Sequence, residues 1–223
     1  MEHPGTPALA ARVGDYLGAF DADEGLRTVL RDLVTDARER VAADWARVQE
    51  PVETEALIAG ASDDEICRLL VDLAECPPGS LGRSFHDFYR RHGFPLPVEH
   101  VSLIAHDFVH VLGGYEPTPE GELALQAMLV AATRGGRHCS ALMASLLVFE
   151  VGLPAVDDIV PTVAVLDRPG AAELFADGVA RGLGADQDLQ ALDHFALADR
   201  DLVELRVELG IEPPPPGPST FVV

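Results

Sequence analysis

The sequence predicts an all-α protein, a single mostly helical domain of about seven to nine helices, and three observations carry that expectation. Apolar residues recur at three- and four-residue spacings along most of the chain. Capping residues and proline–glycine clusters punctuate those stretches. A single β-branched run, over residues 161–166, is the sole candidate for extended structure. With 223 residues, 48% of them apolar, the chain is long enough to close one core and too apolar to be a disordered one. The domain is expected over residues 1–211, with a Pro-rich disordered tail over 212–223.

Taken in order, residues 23–49 place Leu26, Val29, Leu30, Leu33, Val34, Ala37 and Val41 on one helical face with charges between them. Ser62 stands three residues ahead of Glu65, a capping-box pattern opening a helix through Ile66, Leu69, Leu70 and Leu73. Cys76-Pro77-Pro78-Gly79 stops it. A shorter surface helix is expected over 84–91, ended by Gly93-Phe94-Pro95. An αα-hairpin follows, its first arm around residues 101–112 and its turn at Gly113-Gly114-Tyr115-Glu116-Pro117. Thr118-Pro119-Glu120 restarts the second arm with a cap residue, a first-turn proline and an acidic first turn. Residues 139–153 form a greasy stretch containing Glu150, shorter than the roughly twenty residues that span a bilayer. It reads as a buried helix. Further helices are expected from Pro169 and over 199–209, and Gly210 to Gly217 reads as a polyproline tail with nothing to pack against.

The formal charge of −21 disfavours nucleic acid and anionic lipid headgroups as electrostatic partners. All sixteen basic residues are arginine, which excludes lysine-based chemistry such as a Schiff base. Cys67, Cys76 and Cys139 form an odd set without CxxC spacing, against a disulfide framework or thiolate zinc site and in keeping with a reducing cytoplasm. The opening Met-Glu-His-Pro-Gly has neither a basic nor an apolar leader pattern, so a cytoplasmic location is expected.

The chemistry concentrates in His106-Asp107-Phe108-Val109-His110, with Glu122 on the returning arm. His106 and His110 are one helical turn apart on a single face, and Asp107 lies about 100° around from His106. The hairpin brings Glu122 back toward them. These polar groups sit among Val101, Leu103, Ile104, Phe108, Val109, Val111 and Leu112, where burial costs several kcal/mol unless they are partnered. A divalent cation is the natural partner. Two nitrogens with two carboxylates suit zinc, iron, manganese or cobalt, and fit an open site rather than a closed structural one. By contrast, His86 and His92 stand six residues apart, about 240° around their helix, a chance pairing.

These residues resemble the ubiquinone (coenzyme Q) biosynthesis protein 4 family, whose hallmark is His-Asp-x-x-His, eleven residues, then Glu. Here that pattern is His106, Asp107 and His110, then Val111 to Gly121, then Glu122. Val111-Leu112-Gly113-Gly114-Tyr115 and Gly121-Glu122-Leu123-Ala124-Leu125-Gln126-Ala127 are similar to the family's flanks, and residues 202–211 to its closing helix. The resemblance is strongest over 80–150 and fainter to 211. Departures are Val109 in place of an aromatic, Ser102-Leu103-Ile104-Ala105 in place of polar residues, and Asp193-His194-Phe195 in place of an acidic Trp-Glu element.

The resemblance implies a helical protein that holds zinc through His106, Asp107, His110 and Glu122, which would also be its catalytic residues. It implies work on the ring of a prenylated quinone precursor, removing a carboxylate with hydroxylation at the same carbon, alongside other quinone-biosynthesis proteins. Tyr115 would hydrogen-bond the head group, and Leu142, Met143, Leu146, Leu147 and Phe149 would line a tail channel or simply pack the core. Peripheral contact with the inner face of the cell membrane and a homodimer are further expectations. The competing readings are a non-enzymatic quinone-binding scaffold and, third, an HD-type metal phosphohydrolase using His106 and Asp107 with His86 or His92 and a later acid such as Asp157.

Overall fold

A computed structural model describes residues 61–97, 101–133, 136–153, 159–185 and 187–221. The helix expected over 23–49 lies outside the described residues. Within them the chain forms seven α-helices: α1 (Asp63–Asp72), α2 (Leu81–His92), α3 (Val101–Gly113), α4 (Pro119–Thr133), α5 (Gly136–Phe149), α6 (Ala171–Gly184) and α7 (Leu202–Glu208). The protein is all-α, and the described residues contain isolated β-bridges but no strand. Residues 161–166 supply one such bridge, Val151 to Val163, in place of a strand.

The caps follow the sequence. The Ser62 amide donates to Glu65 Oε2 at 2.8 Å, completing the predicted capping box of α1. Ser80 Oγ accepts from the Arg83 amide at 3.3 Å, so α2 starts three residues earlier than the sequence suggests. That helix is no surface element. Leu81, Phe85, Phe88 and Tyr89 are buried along one face, at the three- and four-residue spacing of an amphipathic helix.

Helix α4 is apolar on nearly all sides, and Leu123 to Leu129 are buried without a break. Such a helix belongs at the centre of a bundle. Helix α6 crosses it most intimately because Gly178 and Gly182, one turn apart, bring the two backbones together. A Cβ at Gly178 would stand 2.2 Å from the Ala124 carbonyl oxygen, and one at Gly182 would stand 2.1 Å from that of Met128. Helix α5 covers another side of α4 but is only half-buried, with Met143 56% exposed, so residues 139–153 do not make the buried helix expected of them.

The expected disordered tail is also corrected. Residues 211–221 return to the α3–α4 turn, where Thr220 bridges Tyr115, the Glu116 amide donates to Ser219, and the Phe221 amide donates to Gly114. Phe221 is buried 5.7 Å from Phe88, with the Arg91 guanidinium 4.4 Å above its ring. Consecutive prolines stiffen this segment, so ordering it costs little entropy, and buried Ile211, Pro214 and Phe221 seat it along its length.

Candidate metal centre

The α3–α4 hairpin folds as its sequence dictates. Gly114 turns with φ +69°, a conformation glycine adopts without penalty, and Thr118 Oγ1 accepts from the Gly121 amide at 3.2 Å to open α4. The carbonyls ending α3 are all engaged. That of His110 accepts from the Gly114 and Tyr115 amides, those of Val111 and Leu112 from Arg206 at 2.9 Å each, and that of Gly113 from Arg181 at 2.8 Å. Both guanidiniums are buried, and their charge meets the negative end of the α3 dipole. Burial, and then the neighbouring Arg181 charge, lowers Arg206 to about 10, still cationic at neutral pH.

On this anchored helix His106, Asp107 and His110 come together, and Glu122 reaches the two histidines from α4. His106 Nε2 lies 3.2 Å from His110 Nε2. Glu122 places Oε1 2.9 Å from His110 Nε2 and Oε2 3.4 Å from His106 Nε2. Asp107 joins the histidines with ligating atoms all within 4.8 Å. The His110 side chain is 1% exposed, whereas those of His106 and Glu122 retain 20% and 23%, so the cluster is closed behind and open in front.

His110 Nδ1 donates to the Tyr115 carbonyl at 2.9 Å. In the neutral ring this commits Nδ1 as the donor and turns the Nε2 lone pair toward Glu122 and His106. Acceptors therefore crowd together, an arrangement that protons or a cation must bridge. Without a cation, burial opposes charge on His106, but the Glu122 and Asp107 carboxylates outweigh it and lift the imidazole to about 9. Burial also opposes charge on Glu122, yet the His110 and His106 charges hold it well below the usual carboxylate range. Burial raises Asp107. Two imidazole nitrogens and two carboxylates are a donor set that fits a divalent ion, and a cation in the place of the His106 proton would release it.

Tyr115 is placed differently from the expectation. It is fully buried, its hydroxyl donates to Asp177 Oδ2 at 3.0 Å, and Arg181 lies 5.0 Å over its ring. Its contribution to the site is the backbone carbonyl that orients His110, not a hydroxyl offered to a head group. His86 and His92 stay outside the cluster: His86 lies 3.4 Å from Asp87 and His92 2.9 Å from Glu116. The dyad partners of a phosphohydrolase are therefore not assembled, and Asp157 lies outside the described residues.

Two contributors escaped the sequence reading. Tyr89 donates its hydroxyl to Asp107, and the arginine pair fastens the end of α3. The spacing Phe85, Phe88, Tyr89 was the available signal for the first, since it aims the aromatic face of α2 at α3. Nothing local marks Arg181 or Arg206, whose partners on α3 lie 68 or more residues away.

No family model matches the chain, and no curated protein does. Among solved structures, the chain is similar to a crystal structure of a protein from Nostoc punctiforme provisionally named for ubiquinone biosynthesis. Identity is 18%, the match covers 94% of this chain and 99% of the other, and the TM-score is 0.50. The likeness is one of fold. It extends over nearly the whole of both chains, so the helical arrangement is shared well beyond the hairpin. No described helix is long and apolar enough to cross a membrane.

Proposed function

We propose that this protein binds a divalent metal ion through His106, Asp107, His110 and Glu122, and acts in ubiquinone or related isoprenoid-quinone biosynthesis. Its substrate would be a prenylated aromatic acid whose ring carboxylate is replaced by hydroxyl. The observation that carries this reading is the convergence of two imidazole nitrogens and a carboxylate within 3.4 Å, at a site shut on one side and open on the other. The full-length fold likeness to a protein named for the same pathway supports the substrate class.

A bound metal supplies Lewis acidity toward an oxygen of the head group. The chain's own residues do the rest. His110, fixed by the Tyr115 carbonyl and stacked on the buried Phe88 ring at 5.8 Å, and Glu122, carried by α4, would hold and orient the cation, with Phe88 keeping water from that side of His110. Exchange of carboxylate for hydroxyl is a two-electron oxidation, so an oxidant such as dioxygen must take part.

The test is elemental analysis of the purified chain beside a His106→Ala, His110→Ala double variant, followed by turnover with prenylated hydroxybenzoates. Near-stoichiometric metal lost in the variant is expected. A wild type that takes up no zinc, iron, manganese or cobalt on reconstitution refutes the reading. Metal binding without turnover, together with binding of the prenylated acid, would assign the protein to quinone presentation for partner enzymes.

A further inference from the structure

Resting on the metal reading above, we infer that Tyr89 is a positioning residue for this site, acting through Asp107. Its hydroxyl crosses from α2 to α3 and donates to Asp107 Oδ2. Asp107 stands about 100° around α3 from His106, at the edge of the face that carries both histidines. A short carboxylate at such an edge has staggered alternatives that swing it away from the site. The phenol removes that freedom by holding Oδ2, and it leaves Oδ1 to face a cation.

The phenol can steer because it cannot itself move. Tyr89 is 5% exposed. Its ring is stacked 4.8 Å from Phe85 and lies edge-on to Phe94 at 5.9 Å. Phe85 in turn stacks at 4.1 Å on Phe108, the residue that follows Asp107. The same aromatic packing that joins α2 to α3 therefore fixes both ends of the hydrogen bond. A phenylalanine would fill this slot equally well, so core packing alone does not account for the hydroxyl. Carboxylates that bind metals are commonly held by an outer hydrogen bond of this kind, which sets their direction and their basicity.

Wild-type and Tyr89→Phe chains, stripped of metal, are titrated with Co²⁺ and followed by visible absorption, with Zn²⁺ competition to give affinities. The variant is expected to bind about 10- to 100-fold more weakly and to show displaced Co²⁺ bands. Equal or tighter affinity overturns the role of Tyr89. Weaker affinity with superimposable bands overturns it too, because general loosening of the helices lowers affinity without redirecting a ligand. A wild type that binds neither ion refutes the metal reading itself and this inference with it, whereas a metal-binding wild type with an unaltered variant refutes this inference alone.

Discussion

Substituting Gly178 by alanine is expected to destabilise the protein, against the usual sign for glycine within a helix. An added methyl at an ordinary interior position of α6 would stabilise by about 1 kcal/mol through helix propensity. Here it would meet the Ala124 carbonyl oxygen at 2.2 Å, where ordinary contact begins near 3.4 Å. The obstacle is backbone, not the tip of a flexible side chain, so α4 and α6 must separate by roughly 1 Å. Overpacking against fixed atoms lies toward the upper end of about 1–3 kcal/mol. After the propensity gain, a net loss of about 2 kcal/mol remains, or a fall of about 4–8 °C in Tm for a chain of this size. Ala124 is two residues from Glu122, so the displacement also carries a proposed ligand away from its histidines, and metal affinity should drop with stability. Thermal unfolding followed by circular dichroism, beside an Ala180→Gly control on the exposed face of the same helix, decides the matter. A Gly178→Ala protein as stable as wild type, or more so, would refute the account of how α4 and α6 pack.

Arg206→Met should cost about 3–5 kcal/mol in urea unfolding, because the buried Val111 and Leu112 carbonyls lose their donors, and Arg206→Lys should recover only part, since an ammonium cannot fork across two carbonyls. Phe221→Ala should cost about 3 kcal/mol, whereas an unpacked tail predicts no change. His194, stacked 4.9 Å from Phe108 and donating Nε2–H to the Leu189 carbonyl, is pushed down to about 4 by burial, against the opposing pull of Leu189, Asp193 and Asp188. The unfolded chain takes up that proton near its ordinary value of about 6.5, so this contribution is complete above pH 6.5 and is lost as pH falls toward 4. Over that window it amounts to about 3 kcal/mol, and His194→Gln should flatten the corresponding part of the stability–pH curve.

The hairpin and its four polar side chains were legible because their determinants are local. One helical turn separates His106 from His110, and Thr118-Pro119-Glu120 restarts the chain within five residues of Gly113. Helix α1 was legible for the same reason, through the Ser62–Glu65 box. Periodicity failed where burial depends on distant partners. Tyr115 carries a hydroxyl suited to a ligand, yet Asp177, 62 residues on, claims it. The polyproline segment contains nothing that announces Phe221 as an anchor, since the slot it fills is made by Phe88 and Arg91. Residues 139–153 are greasy enough for a core, but helices α4 and α6 have already taken the central contacts, and α5 is left half outside.

The arginine clasp on the end of α3 has a consequence for the order in which the molecule is made. His110 and Glu122 emerge from a ribosome early and close together, but the groups that fasten their helix, Arg181 and Arg206, emerge about 70 and 95 residues after it, and Phe221 later still. At about 5–20 residues per second, the hairpin waits several seconds for them. During that interval the proposed ligands are present on a helix whose last carbonyls have only water for partners, so the geometry that brings them together belongs to the finished fold and not to the nascent chain.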